Sequence, residues 1–144
     1  MQHSHESKTA IGLNPKDVAG GATPTVTKGE AIDRLGFEEA RVVLQHGTVE
    51  AGAALDSKVQ ESDTTTDGDF VDVEDAAFAQ VAGGAEVLSG IFEGRLNLVG
   101  RKRFLRVVST VTGQDKKACH SANVVLTMAK EKPVAPVNAL AFSV

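Results

Sequence analysis

Hydrophobic and polar positions alternate along most of the chain with the two-residue period of a half-buried β-strand. Residues 40–46 (ARVVLQH) set Val42 and Leu44 against Arg41, Val43 and Gln45, and residues 55–61 (LDSKVQE) alternate again. The link through Glu50, Ala51 and Gly52 is short and contains glycine, so these two segments predict a β-hairpin. A polar loop over 62–69 precedes a short apolar run at 70–73, and a Gly-rich break at 82–85 divides the chain into halves. In the second half, Leu96 and Leu98 share one side of residues 95–99. Leu105, Val107 and Val111 share one face of 103–111, with Phe104, Arg106 and Val108 on the other. Residues 120–128 align Ala122, Val124, Leu126 and Met128. The one helix candidate, residues 73–80 (VEDAAFAQ), is too short to change the class.

Many Val and Thr residues, period-2 patterning and closely spaced turn signals predict an all-β fold. The expected form is an antiparallel β-sandwich or jelly-roll-like single domain with extended N- and C-terminal arms. Residues 1–30 mix Gly, Thr, Pro and Lys around short apolar patches at 11–13 and Val18, which reads as an extended arm. The body spans 31–132. Residues 133–144 carry Pro133 and Pro136, which keep them out of a central strand, and then alternate Leu140, Phe142 and Val144. That tail either completes its own domain's sheet or lies on a neighbour.

Composition narrows the function. The 144 residues are 42% hydrophobic, enough for a sizeable core, but the six aromatic residues are all Phe. Without Trp or Tyr, a sugar site built on stacked rings or an aromatic platform for single-stranded nucleic acid is unexpected. A net charge of −4 argues against direct nucleic-acid binding. A single cysteine, Cys119, rules out an intrachain disulfide and Cys/His zinc spacing. No apolar run nears the roughly 20 residues of a membrane span, and the first residues lack the apolar stretch of a signal peptide, so no membrane partner is expected.

Seven of the 19 carboxylates fall within 61–75. Asp63, Asp67, Gly68 and Asp69 could form a calcium loop, but their spacing departs from the established pattern and a solvated loop is the stronger reading. Whether 63–69 binds an ion stays open at this point. No nucleophile has an evident partner histidine: His3 and His5 lie in the arm, His46 ends a strand, and His120 points to the opposite face from Cys119. The G-x-S-x-G elbow is absent, and the paired glycines at 20–21 and 83–84 lead into neither Lys-Ser/Thr nor an amphipathic helix. The chain therefore reads as a non-enzyme with no catalytic, cofactor-binding or metal residues. Arg95, Arg101, Lys102, Arg103 and Arg106 place five of 15 cations within twelve positions. With Leu140, Phe142 and Val144 they form the candidate interaction surface, suited to contact between copies or with a charged protein. Against this stands an ordinary strand end whose Arg stems lie over apolar surface.

The order of segments also resembles a known family. Leu35-Gly-Phe-Glu38 leads into a Val-rich strand, followed by Gly47-Thr-Val49, Lys58-Val-Gln-Glu-Ser-Asp63, Phe70-Val-Asp-Val73 and Ala76-Ala-Phe78. Later come Gly100-Arg-Lys-Arg-Phe-Leu-Arg-Val-Val108 and Ala141-Phe-Ser-Val144. Over residues 11–144 this resembles the small head decoration (cement) proteins of tailed bacteriophages. It departs at 64–69, where a Thr run replaces a Ser/Gly-rich turn. The resemblance implies a virion protein on the capsid exterior, assembled in the host cytoplasm, that bridges major capsid protein subunits, self-associates (a homotrimer by analogy) and needs no cofactor. The alternatives are a head–tail joining or tail component, a host-surface or glycan-binding β-sandwich and, last, a small hydrolase.

Overall fold

The computed structural model describes residues 7–84 and 89–130. Ten strands follow one another: β1 (Lys8–Ala19), β2 (Thr25–Lys28), β3 (Ile32–Asp33), β4 (Phe37–Val49), β5 (Ala54–Ser62), β6 (Val71–Ala77), β7 (Val81–Ala82), β8 (Gly90–Asn97), β9 (Phe104–Thr112) and β10 (Lys117–Ala129). A single 3-10 turn, Asp67–Asp69, is the one helical feature among the described residues. One sheet has the order β1-β10-β4-β8. The other has the order β2-β9-β5-β6, with β3 also on β9 and β7 also on β5. Every ladder between strands is antiparallel. The expected all-β sandwich is therefore the fold observed.

The expected hairpin does not form. β4 and β5 follow each other in sequence yet lie in different sheets. The turn through Gly52, at φ +89°, swings the chain across the sandwich. Both strands are apolar on one face only, and stacking them face to face buries Val49, Ala53 and Leu55 in a common cluster. The same crossing recurs from β8 to β9, through Gly100 at φ +76°, and from β9 to β10, through Gly113 at φ +101°. The helix candidate at 73–80 is instead part of strand β6 and the segment after it. Val73 alone of β6 is buried, and a bulge at Asp75 (φ +58°) breaks its register on β5.

The N-terminal arm is also corrected from residue 8 onward. β1 runs along β10 from Lys8 opposite Leu126 to Ala19 opposite Lys117, and β2 pairs with β9. Leu13 and Val18 are core residues, so this segment belongs to the body. Two glycines allow the sheets to meet here. Gly29 donates its N–H to Val107 O at 2.8 Å, and a Cβ on Gly29 would fall 1.8 Å from Gly12 O. Residues 133–144, with Leu140, Phe142 and Val144, lie outside the described residues.

The faces read from alternation hold in the central strands. Leu105, Val107 and Val111 are buried in β9, as are Ala122, Val124 and Leu126 in β10. Met128 is the exception at 57% exposed, because its left-handed backbone (φ +56°) breaks the alternation and turns Ala129 inward in its place.

Candidate interaction surface and a buried serine–histidine seam

The interior divides into two apolar clusters. In each of the four central strands a polar residue stands at the boundary between them. On β9 it is Ser109, between Val107 and Val111; on β5, Ser57, between Val59 and Leu55. On β10 it is His120, between Ala122 and Ala118; on β4, His46, between Leu44 and Val49. Register sets Ser57 opposite Ser109 and His46 opposite His120. The seam is invisible in sequence, because the four residues line up only once both registers and the stacking of the sheets are known.

Within the seam, Ser109 Oγ and His120 Nε2 are 2.6 Å apart, and His120 Nδ1 is 3.2 Å from Ala118 O. A carbonyl only accepts, so Nδ1 carries the proton and Nε2 accepts from the serine hydroxyl. Burial holds His120 below its ordinary pKa, that is, neutral. His46 Nδ1 lies 2.9 Å from its neighbour's carbonyl, Gly47 O, and the ring stacks on Phe92 at 5.9 Å. The reading that no nucleophile has a partner histidine is thus corrected for Ser109. This serine is 0% exposed and His120 2%, however, and neither lines the grooves described below. A carbonyl, where a catalytic dyad would have a carboxylate, orients the ring. The pair satisfies buried polar groups and offers no surface to a substrate.

The basic segment does not form a free cationic patch. β5 and β9 are antiparallel neighbours, which lays the acidic segment against the basic one. Arg101 reaches Glu61 at 3.4 Å, and Asp63 accepts from the Arg103 backbone. The Arg103 side chain takes a two-point hold on Asp33, drawing that carboxyl below its usual range and raising its own pKa. Arg95 lies by Glu93, and Lys102 donates its backbone N–H to Glu61. Arg106 is not a surface residue: its side chain is 7% exposed beneath the Phe70 ring, 4.1 Å from its centroid, and it donates to Gln60 and Asp67. Of the five, Arg95 and Arg103 are the most open. The carboxylates of the acidic loop are engaged as well. Lys28 and Arg106 pull Asp67 below the usual range, Lys58 and Gln60 do the same to Asp72, and Asp69 accepts from Thr64. Among the described residues no group of three His, Cys, Asp or Glu is placed to hold a metal ion.

Two of the grooves among the described residues flank the sandwich. One, of 710 Å³, runs between β1 and the β2–β3 segment and includes Ile11, Leu13, Lys16, Lys28 and Asp33. The other, of 470 Å³, opens between β8 and β6 and is walled by Val42, Val73, Phe78, Phe92 and Leu96. At one end of the sandwich the exposed apolar side chains of Leu35, Val99 and Met128 stand on adjoining segments, tied by Lys130 N–H to Gly36 O and Leu98 N–H to Glu38 O. No described helix is long and apolar enough to cross a membrane.

No family model matches the chain, and no curated protein matches it in sequence. Its fold is similar to that of a chain in the structure of infectious bursal disease virus, Gx strain. The TM-score is 0.57 at 12% identity, covering 88% of this chain and 33% of that one. A chain of the Gt strain matches at TM-score 0.57 and 11% identity, covering 88% and 32%. The crystal structure of the VP2 subviral particle of that virus matches at 0.53 and 12%, covering 88% and 33%. This chain thus spans about a third of each of these three chains, and at such identity the likeness is one of fold.

Proposed function

We propose that this domain is a structural component of a virus particle. It decorates the outside of a tailed-phage head and bridges neighbouring major capsid protein subunits. The observation that carries the reading is the fold: an antiparallel sandwich like that of chains from a virus and from a subviral particle. Among the described residues, the serine–histidine pair of the seam is sealed from solvent. Segments 58–63 and 100–108, two of those that carry the resemblance to the decoration proteins, are partners here, Lys58 lying opposite Val108 and Ser62 opposite Phe104 on β5 and β9. A stiff two-sheet body with short links suits a protein that resists a load and performs no turnover.

In this reading the body supplies shape, Arg95 and Lys102 supply charge at its rim, and residues 133–144 supply the tether. Residues 8–28 belong to the body, so the N-terminal tether is not part of the proposal. Complementary rim charge gives register on a repeating lattice more than raw affinity.

The test is co-sedimentation of the purified protein with heads assembled from the neighbouring capsid protein, with bound copies counted. Saturation at a fixed ratio to capsid subunits is expected, together with lower occupancy for Arg95→Glu plus Lys102→Glu. No binding overturns the reading. A few copies per particle would replace decoration with head–tail joining.

A further inference from the structure

We propose that Asp67 and Gly68 form a latent modification site, the chain's principal site of isoaspartate formation, and that Lys28 and Arg106 hold it in check. The site is independent of the proposed role in a particle, since its chemistry needs only this chain and water.

Of all the aspartates and asparagines in the chain, Asp67 alone precedes a glycine. A side chain on the following residue shields that residue's amide nitrogen, and glycine has none. Gly68 has open space around it, and residues 63–69 are all exposed, so water reaches the turn. The Gly68 backbone nitrogen attacks Asp67 Cγ and forms a new N–C bond. The carboxyl gives up OH, the nitrogen gives up its proton, and the two leave as water while a five-membered succinimide closes. A second water then adds at the original main-chain carbonyl carbon of Asp67. The bond from that carbon to nitrogen breaks, and the nitrogen regains a proton. The chain now runs through Cγ, one methylene longer, with the former main-chain carboxyl free.

The fold opposes this reaction at its first step. Lys28 Nζ holds both carboxylate oxygens of Asp67, at 3.0 and 2.7 Å, and Arg106 Nη1 holds one of them at 2.5 Å. These contacts fix the side chain. With the Lys28 bond first, they also keep the carboxyl below its usual range, which denies the departing oxygen its proton. Arg106 is also what makes conversion matter. Its side chain, buried beneath the Phe70 ring, donates from Nη2 to the Asp67 main-chain oxygen at 3.4 Å as well as to the carboxylate. Those are the two groups that exchange roles when isoaspartate forms. The moved carboxylate, and an extra methylene just ahead of buried Phe70, break this grip and leave Arg106 a buried cation without its carboxylate. Asp67 is thus guarded by a residue that depends on it.

The experiment ages the full chain in warm neutral buffer. Isoaspartate is scored by enzymatic methylation and located by electron-transfer fragmentation of the peptide that contains residue 67. Conversion at Asp67 is expected ahead of every other aspartate, with suppression in Gly68→Ala. Lys28→Ala should convert several-fold faster, and Lys28→Arg should keep the slow rate. Lys28 is exposed, so both variants test the guard with the fold intact. Aged wild-type protein should melt below fresh protein, while aged Gly68→Ala keeps its midpoint. Isoaspartate that appears first elsewhere, or never at 67 in Lys28→Ala, overturns the site. An unchanged rate in Lys28→Ala overturns the guard, and a converted chain with an unchanged midpoint overturns the link to Arg106.

Discussion

Ser109 Oγ and His120 Nε2 lie 2.6 Å apart on strands of opposite sheets, so one hydrogen bond joins the two layers at the boundary between the two apolar clusters. The bond requires neutral imidazole. This makes the interior of the sandwich sensitive to acid.

Stability should therefore fall in two steps as pH is lowered. The pKa of His120 is lowered from 6.5 by burial. Below 6.5 the unfolded chain takes up a proton that the folded chain refuses, so stability is full above 6.5 and declines as pH drops toward the folded value. Asp33, Asp67 and Asp72 are held below 3.8 by their cationic partners, so their contribution is present above 3.8 and is lost below it. Thermal melts from pH 8 to pH 3 should show both steps. His120→Gln should lose the upper step while keeping the lower.

The two seam serines should behave oppositely. Ser109→Ala leaves His120 Nε2 buried without a donor and should cost about 1–3 kcal/mol in urea unfolding. Ser57 Oγ is buried with no hydrogen-bond partner. Ser57→Ala removes an unsatisfied hydroxyl and should be neutral or stabilising. Equal losses for the two would mean the seam is not organised by the Ser109–His120 bond.

Gly29→Ala should destabilise by about 1–3 kcal/mol or more, since the added Cβ meets backbone, Gly12 O at 1.8 Å, which cannot turn aside as a side chain does. Gly68→Ala is the control, with open space around it, and should change the midpoint little.

Leu126→Ala and Leu105→Ala, in the main cluster, should each cost about 2–5 kcal/mol. Met128→Ala should cost little, although Met128 sits two residues from Leu126 in the same strand. A large loss at Met128 would contradict its outward placement.

Alternation alone determined the fold class and the buried faces of β4, β9 and β10, because side-chain direction along a strand follows from local backbone geometry. It could not determine partners. Whether residues 40–46 and 55–61 lie side by side or face to face depends on which arrangement buries more apolar area across the whole chain. Stacking won, through a turn that glycine at 52 permits. Residues 8–28 look like an arm because their apolar residues are sparse. They are strands because β10 and β9 offer edges to pair with, a fact recorded 80 or more residues away. The basic residues at 95–106 were legible as a cluster, yet only the pairing of β5 with β9 decided that Glu61, Asp63 and Asp67 would meet Arg101, Arg103 and Arg106 and that Phe70 would cover Arg106. The seam of Ser57, Ser109, His46 and His120 exists only in three dimensions. A polar residue in an inward position reads as an isolated irregularity in each strand, and the stacking of two sheets turns four such irregularities into one buried layer.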